Sequence, residues 1–295
     1  MTDALSPILD RHLSQWPVDH VAAAVIGPGA TSATEAANPT EAPTTVIACA
    51  GNGAQVFELA SVTKLLAAYG FMVALEEGVF DLDTVISHNG ATVRHLLSHA
   101  GGVGFKSTDS IKPIEQRRIY SSYGFELLAD AVAAESDMSF AEYLTEAVFV
   151  PLGMTATELW GLPGHEARST VDDLSAFVLE VLTPTLIDPS TVHSMFQLQY
   201  PDLNGIVPGY GMQKPCPWGL GFEIRGRKQP HWTGTTMPED TVGHFGQSGT
   251  FVWLHPGTQR AMIVLTNREF GEWAKPVWPA LNDDIWANVS LTTTA

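Results

Sequence analysis

Residues 57–64 read Phe-Glu-Leu-Ala-Ser-Val-Thr-Lys and introduce a run of apolar residues. That run predicts a helix over 62–77, ended by Gly78 and apolar enough to be deeply buried. Ser61 and Lys64 lie three residues apart and share one helix face. A serine at a helix start is most often only an N-cap, but a lysine in apolar sequence is costly unless it is paired or useful. Burial lowers the pKa of a lysine and makes it a base, so the pair predicts an activated serine nucleophile.

Strand patterns lie at both ends of the chain, on either side of a mainly helical middle. The predicted strands cover 21–26, 44–48, 218–224, 251–254 and 261–265, and the last two are joined by the turn Pro256-Gly257. A loop is predicted over 28–43 and a closing helix over 270–288. We therefore expect an α/β (α+β) fold, in which an antiparallel sheet is built from both chain ends and covered by helices. In one unit over 1–295, the α/β lobe would comprise about 1–80 and 205–295, and an inserted helical lobe about 81–204.

Composition and charge exclude several classes of function. The formal net charge is −17 at pH 7, which disfavours nucleic-acid partners and anionic membrane surfaces. No apolar run reaches the ~18 residues that span a bilayer, and the first residues lack the pattern of a secretory signal, so we expect a soluble, cytoplasmic protein.

The two cysteines, Cys49 and Cys216, lack metal-ligand spacing and are interpreted as structural thiols, with Cys216 partly exposed in a proline-rich loop.

Further motifs follow the serine–lysine pair in a recognisable order. They are HLLSHAGG at 95–102, PLGM at 151–154, STVDDL at 169–174 and LTNR at 265–268. With the stretch over 58–64, they resemble the serine β-lactamase and penicillin-binding-protein family, in particular its branch of class C β-lactamases, DD-peptidases and related esterases. The resemblance runs from about residue 20 to 270. It implies a β-lactamase/transpeptidase-like fold with its site in a cleft between lobes, and a reaction that needs no cofactor or metal.

The resemblance assigns the second catalytic element, Tyr-x-Asn, to Tyr120 and Ser122. The tyrosine would act as general acid and base, and a nearby ammonium would lower its pKa. Ser122 stands where the family has an asparagine that binds the amide carbonyl of a β-lactam or peptide. A serine is shorter and lacks the paired donor and acceptor of an amide, which argues against efficient turnover of those substrates.

The third element, Lys-Thr-Gly or His-x-Gly in the family, matches His244, Phe245 and Gly246, and Gln247 follows. The resemblance implies that this strand lines the site and that Gly246 permits close approach of substrate. The backbone N–H groups of Gln247 and Ser61 would form the oxyanion hole, and His244 would polarise the pocket or assist proton transfer. Phe245 replaces a small polar residue that often contacts a substrate carboxylate, which favours neutral esters or amides.

Taken together, these residues favour a serine hydrolase that forms a covalent acyl-enzyme and acts like an esterase on small acyl substrates. Three alternatives stay open: a β-lactamase or D-alanyl-D-alanine carboxypeptidase, acyl transfer to an alcohol or amine, and a non-catalytic binding protein on the same fold. The histidines at 95 and 99 have a spacing that can bind zinc, but no third ligand is evident, so a structural role is favoured. The physiological substrate and the oligomeric state stay open as well.

Overall fold

The computed structural model describes residues 5–29 and 43–289, so most of the predicted loop over 28–43 lies outside the described residues. The strands are β1 Val21–Pro28, β2 Thr44–Ala50, β3 Phe57–Glu58, β4 Glu158–Leu159, β5 Ala167–Ser169, β6 Gly205–Val207, β7 Gly211–Gln213, β8 Glu223–Ile224, β9 Val242–Gly246, β10 Thr250–His255 and β11 Arg260–Thr266. The α-helices are α1 Ser6–Leu13, α2 Thr63–Glu76, α3 Val93–Leu97, α4 Tyr123–Ser136, α5 Phe140–Leu144, α6 Val171–Leu182, α7 Pro189–Met195 and α8 Ala274–Val289. A 3-10 turn, Ala60–Val62, leads into α2.

The main sheet joins the two ends of the chain. Its order is β2-β1-β11-β10-β9-β8, and every neighbouring pair is antiparallel. Strand β1 pairs with β11 from Val21 opposite Thr266 onward. This arrangement confirms the predicted fold, while the division into lobes near residues 81 and 204 stays a prediction.

Both faces of the main sheet are covered, because its strands send alternate side chains into two apolar clusters. Along β1, Ala24 and Ile26 pack with residues of α2 and α6, whereas Ala23 and Val25 pack with residues of α1 and α8. A strand buried on both faces needs apolar residues at every position. This explains why β10 and β11 read as continuous apolar runs rather than as alternating ones.

Helix α2 places Lys64 of the predicted site in the interior of the protein. It lies within one residue of its predicted bounds at each end, and its residues from Thr63 to Ala74 are buried, Lys64 among them. Within the described ranges no helix is both long and apolar enough to cross a bilayer.

Two sequence predictions were wrong between residues 216 and 224. The predicted strand shrinks to β8, because Gly221 has φ +82° and a Cβ there would lie 2.2 Å from the Cβ of Ala68, so the chain turns where α2 passes. Cys216 is buried, not partly exposed, with 1% of its surface accessible. Its N–H donates to the carbonyl of Leu203 at 2.8 Å, and its own carbonyl accepts from the guanidinium of Arg118 at 2.6 Å, which together fix the segment in the interior.

Candidate active site

Ser61 lies in the tight turn in front of α2, in a backbone held by contacts on both sides. The residue before it, Ala60, has φ +45°, a left-handed conformation that is unfavourable for a residue with a Cβ. The neighbouring Leu59 donates its N–H to the carbonyl of Ala167 at 2.9 Å, and its carbonyl accepts from the hydroxyl of Thr250 at 2.9 Å. Such strain persists only where surrounding structure holds it, and it concentrates at functional sites.

Ser61, Tyr120 and His244 line one cavity. Ser61 lies close enough to Tyr120 to lower the pKa of its phenol, and the Tyr120 hydroxyl lies 3.3 Å from Nε2 of His244. Nδ1 of His244 lies 2.7 Å from the carbonyl oxygen of Phe245 and must therefore carry the ring proton. Nε2 is then an acceptor for the Tyr120 hydroxyl. Tyr120 therefore donates to His244, and its oxygen keeps a lone pair that can accept a proton from Ser61.

Lys64 is buried beside Tyr120. Its Nζ donates to Oγ of Ser122 at 3.0 Å and to the carbonyl of Gly164 at 2.7 Å, and it lies 4.6 Å from the centre of the Tyr120 ring. Burial lowers the pKa of Lys64 from 10.5 to about 7, against a smaller opposing effect of Glu126. The amine can therefore exchange a proton near neutral pH.

The other two groups are neutral near pH 7. Burial raises the pKa of Tyr120, and the nearby Ser61 offsets this only in part. The sequence-based expectation was the reverse, a pKa lowered by an ammonium, but removal of the phenol from water dominates. Burial and the charge of Lys64 lower the pKa of His244 to about 4. Lys64 is thus the group of this cluster that titrates near neutrality.

Ser122 contacts Lys64 rather than the open part of the site. It is 1% exposed and is absent from the residues that line the cavity at Ser61. The residue that packs against it is Gly164, where a Cβ would lie 2.8 Å from the Cβ of Ser122. Sequence reasoning missed Gly164, because nothing in the spacing of the chain relates it to a lysine 100 residues earlier.

Strand β9 brings the segment from His244 to Gln247 against the turn that holds Ser61. A Cβ at Gly246 would lie 2.2 Å from the carbonyl oxygen of Leu59 and 2.5 Å from the hydroxyl of Thr250. No larger residue fits without moving the strand from the serine turn. The resemblance implies that Gly246 permits the approach of substrate, which stays a prediction; the structure shows that it permits the approach of the Leu59 backbone.

Replacing Gly246 with Ala is therefore expected to lower the free energy of unfolding by about 1–3 kcal/mol, the usual cost of forcing an extra carbon into a packed site. Urea denaturation measures this change. Gly257→Ala is the matched control, because a Cβ there meets nothing closer than 3.6 Å. Equal stability of both variants would mean that β9 can retreat from the turn without cost.

A cavity of about 190 Å³ opens beside Ser61. Its lining is mainly apolar and comprises Ser61, Phe105, Tyr120, Val207, Pro208, Trp218, Glu223, His244, Phe245 and Gln247. Of the eight predicted site residues, five line it and three lie behind it: Lys64, Ser122 and Gly246. No lysine or arginine is among the described residues that form its wall.

Glu223 was not anticipated at this wall. It is 1% exposed; Oε1 accepts from Lys228 Nζ at 2.8 Å and lies 3.1 Å from His231 Nε2, and Oε2 accepts from Trp232 Nε1 at 2.8 Å. Burial alone would raise the pKa of Glu223, but Lys228 and His231 hold it well below its ordinary value. The buried carboxylate is thus already paired, and a substrate meets a neutralised charge there.

The two histidines with zinc-like spacing have separate structural partners. Nε2 of His95 lies 3.0 Å from Glu115, and Nδ1 of His99 accepts from the N–H of Ser121 at 3.2 Å, which fixes the segment next to Tyr120. In the described part of the chain no three histidine, cysteine or acidic residues cluster as metal ligands would.

Comparison with known proteins identifies the family. Residues 19–285 match the family model described as Beta-lactamase. The chain belongs to the beta-lactamase family. This confirms the resemblance found in the sequence and makes the protein a beta-lactamase-family hydrolase, a member of a family of serine hydrolases.

Individual relatives of this beta-lactamase-family chain agree with that result. A solved structure described as a beta-lactamase from Mycobacterium bovis is 46% identical, with a TM-score of 0.87 over 95% of this chain and 98% of that one. D-amino acid amidase from Ochrobactrum anthropi SV3 shares the fold, at 17% identity and a TM-score of 0.73 over 99% of each chain. Penicillin-binding protein 4* from Bacillus subtilis (strain 168) is 28% identical over half of this chain, and the match spans 40% of that relative's length.

Proposed function

We propose that this hydrolase cleaves esters of small acyl groups through a covalent acyl-enzyme on Ser61. The observation that carries the proposal is that Ser61, Tyr120 and His244 share one cavity wall, beside a buried lysine whose pKa is lowered to about 7. A serine becomes a useful nucleophile when a base can take its proton as it attacks. The strained turn at Ala60 presents that serine at the wall of the cavity.

The proton path runs from Ser61 through Tyr120 to Lys64. As Oγ of Ser61 attacks the ester carbonyl, its proton passes to the tyrosine oxygen. The tyrosine hydroxyl turns from Nε2 of His244 to the neutral amine of Lys64, which lies over its ring, and gives its own proton to that amine. The backbone N–H groups of Ser61 and Gln247 hold the tetrahedral oxyanion. The C–O bond to the alcohol then breaks, and the alcohol oxygen takes the proton back through Tyr120. Water repeats the sequence, its proton follows the same path, and the acyl–Oγ bond breaks as Ser61 regains a proton.

His244 supports the relay as an acceptor rather than as the base. Its pKa near 4 keeps Nε2 unprotonated at neutral pH, so Nε2 orients the Tyr120 hydroxyl without competing with Lys64 for the proton. In this scheme Lys64 holds the proton, and Tyr120 transfers it to and from the reacting oxygen atoms.

The cavity favours neutral esters over β-lactams. Phe245 occupies the position from which a small polar residue would meet a carboxylate, and the described wall holds no cation. Oγ of Ser122 accepts a hydrogen bond from Lys64, and Ser122 does not line the cavity. A β-lactam or peptide would therefore lack the asparagine partner that the family provides for its side-chain amide. The similarity to a beta-lactamase of Mycobacterium bovis is the observation that favours the second candidate, β-lactam or D-alanyl-D-alanine peptide hydrolysis.

A substrate panel tests this choice directly. We expect kcat/KM for p-nitrophenyl acetate and butyrate to exceed that for a chromogenic cephalosporin and a D-Ala-D-Ala peptide by at least about 100-fold, because a missing buried hydrogen-bond partner weakens transition-state binding by about 2–3 kcal/mol. Ser122→Asn is the matched variant, and it should narrow the difference. The reverse preference in the wild type would establish the second candidate.

A further inference from the structure

A second groove leads away from the catalytic cavity on the side of Tyr120. It has a volume of about 270 Å³. Three residues, Phe105, Tyr120 and Pro208, line both spaces, so the groove and the cavity share a wall. A substrate whose carbonyl lies at Ser61 and whose leaving group passes Tyr120 would therefore extend into this groove.

The walls of the groove are apolar and exposed. Phe105, Ile206 and Met212 are 42%, 55% and 49% exposed, although large apolar side chains are usually covered by the fold. Ile206 and Met212 face each other across the hairpin of β6 and β7, and both line the groove. Exposed apolar residues gathered beside a catalytic cavity are typical of a binding surface.

The charge of the groove opposes that of the whole chain. Two arginines, Arg117 and Arg118, line it, and none of the described residues on its wall is acidic, in a protein with a net charge of −17. The buried Arg118 donates only to backbone carbonyls, those of Ser98, Gln199, Tyr200 and Cys216. Carbonyls satisfy its N–H groups but leave its charge uncompensated.

Arg117 differs from Arg118 because it is exposed to solvent. Over residues 5–29 and 43–289, neither arginine takes part in an ion pair. The guanidinium of Arg117 is therefore available to a carboxylate, which it can bind through two parallel hydrogen bonds. The buried charge of Arg118 makes the electrostatic potential in the groove more positive.

We infer that this groove receives the leaving group of the substrate, and that this group is an apolar, preferably aromatic, alcohol with a carboxylate at its far end. The inference rests on the proposed function, since Tyr120 at the shared wall delivers the proton to the leaving oxygen. The reacting carbonyl stays in the neutral cavity, and the anion lies beyond the apolar wall at Arg117. The substrate class is thus esters of apolar hydroxy acids rather than of neutral alcohols.

The test compares two acetates with matched leaving groups, 4-(carboxymethyl)phenyl acetate and 4-(carbamoylmethyl)phenyl acetate. We expect the wild type to prefer the carboxylate by about fivefold in kcat/KM at low salt, the effect of one solvent-exposed ion pair. Arg117→Gln should abolish the preference. Arg227→Gln removes an exposed arginine that is paired with Glu239 outside the groove and should keep it. Equal use of both esters by the wild type, or a preference that survives Arg117→Gln, overturns the inference.

The apolar wall is tested separately with Ile206→Ser, at a position that is 55% exposed. Its kcat/KM should fall by about three- to tenfold for both aryl acetates, relative to ethyl acetate, because the aryl ring loses an apolar contact. An unchanged ratio of aryl to ethyl turnover would mean that the aryl group lies elsewhere, and would overturn the assignment of the groove.

Binding of the free alcohols separates this inference from the proposed function. In Ser61→Ala, titration calorimetry with 4-hydroxyphenylacetate and 4-hydroxyphenylacetamide measures the groove without turnover. Tighter binding of the acid, lost on further substitution of Arg117 with Gln, supports the groove even if no ester is cleaved. Ester turnover together with no difference between the two alcohols would instead retain the proposed function and overturn the groove.

Discussion

Ser61→Ala is expected to lower kcat/KM for p-nitrophenyl acetate by at least about 10⁴-fold, because the variant keeps the cavity and the oxyanion donors but has no atom to accept the acyl group. The same variant should show no covalent adduct by intact-mass spectrometry after incubation with a fluorophosphonate. The wild type should gain the mass of one phosphonyl group. A parallel incubation with a penicillin reports whether β-lactams acylate the same residue.

Ser248 provides the matched control for this experiment. It lies one residue after Gln247, in a Gly-Gln-Ser-Gly stretch that resembles part of the Gly-x-Ser-x-Gly nucleophile motif of other hydrolases. Its hydroxyl lies 3.3 Å from that of Thr250. Ser248→Ala should be labelled like the wild type. An adduct that persists in Ser61→Ala would assign the nucleophile to another residue. A folded wild type that takes up neither reagent would favour the non-catalytic binding protein.

The fold was predictable where a residue pattern favours a single secondary structure. The apolar run after Ser61 could only form a buried helix, and it does so within one residue of the predicted bounds. The turn at Pro256-Gly257 likewise joins β10 to β11. Prediction failed at Trp218, where alternating residues suggested a strand but Gly221 lets the chain turn over α2. Alternation of apolar and polar residues indicates which way the side chains point, whereas the path of the backbone depends on the residues that it packs against.

The candidate site was predictable in its residues but not in its connections. The family motifs indicated Ser61, Tyr120 and His244, which the structure brings together. The Gly164 carbonyl and the Glu223 wall come from distant segments, and neither carries a local signal. The pKa of Tyr120 was misjudged for a related reason, because spacing suggests a neighbouring charge but not the depth of burial that outweighs it.

Lys64→Met is the second change for which we expect a large effect, a loss of about 10²–10⁴-fold in kcat/KM, the usual contribution of a positioned base. The wild type should gain activity as pH rises toward about 7 and level off above it, because the neutral amine is the active form and the pKa of Lys64 is lowered to about 7. His244, with a pKa near 4, stays neutral across that range. The variant should therefore lose the inflection near pH 7 together with its activity.

The lowered pKa of Lys64 also makes the stability of the wild type depend on pH. Burial lowers the pKa of Lys64 from 10.5 to about 7, so between these values the unfolded chain binds more protons than the folded one, and wild-type stability rises with pH. Lys64→Met should lack that rise and stay within about 1 kcal/mol of the wild type at pH 7, since it loses two hydrogen bonds but no longer buries an ionisable group.

Lys228 offers the contrast that identifies Lys64 as a base rather than a structural cation. It is also buried, but its Nζ lies 2.8 Å from the carboxylate of Glu223. Lys228→Met leaves that buried carboxylate without its cation, with only His231 and Trp232 beside it, and should lower the free energy of unfolding by about 3–5 kcal/mol. If Lys64→Met destabilised the fold to the same degree and kept the pH inflection, Lys64 would be a structural cation and the base would lie elsewhere. A stable, inactive variant without the inflection is the result that only a catalytic amine produces.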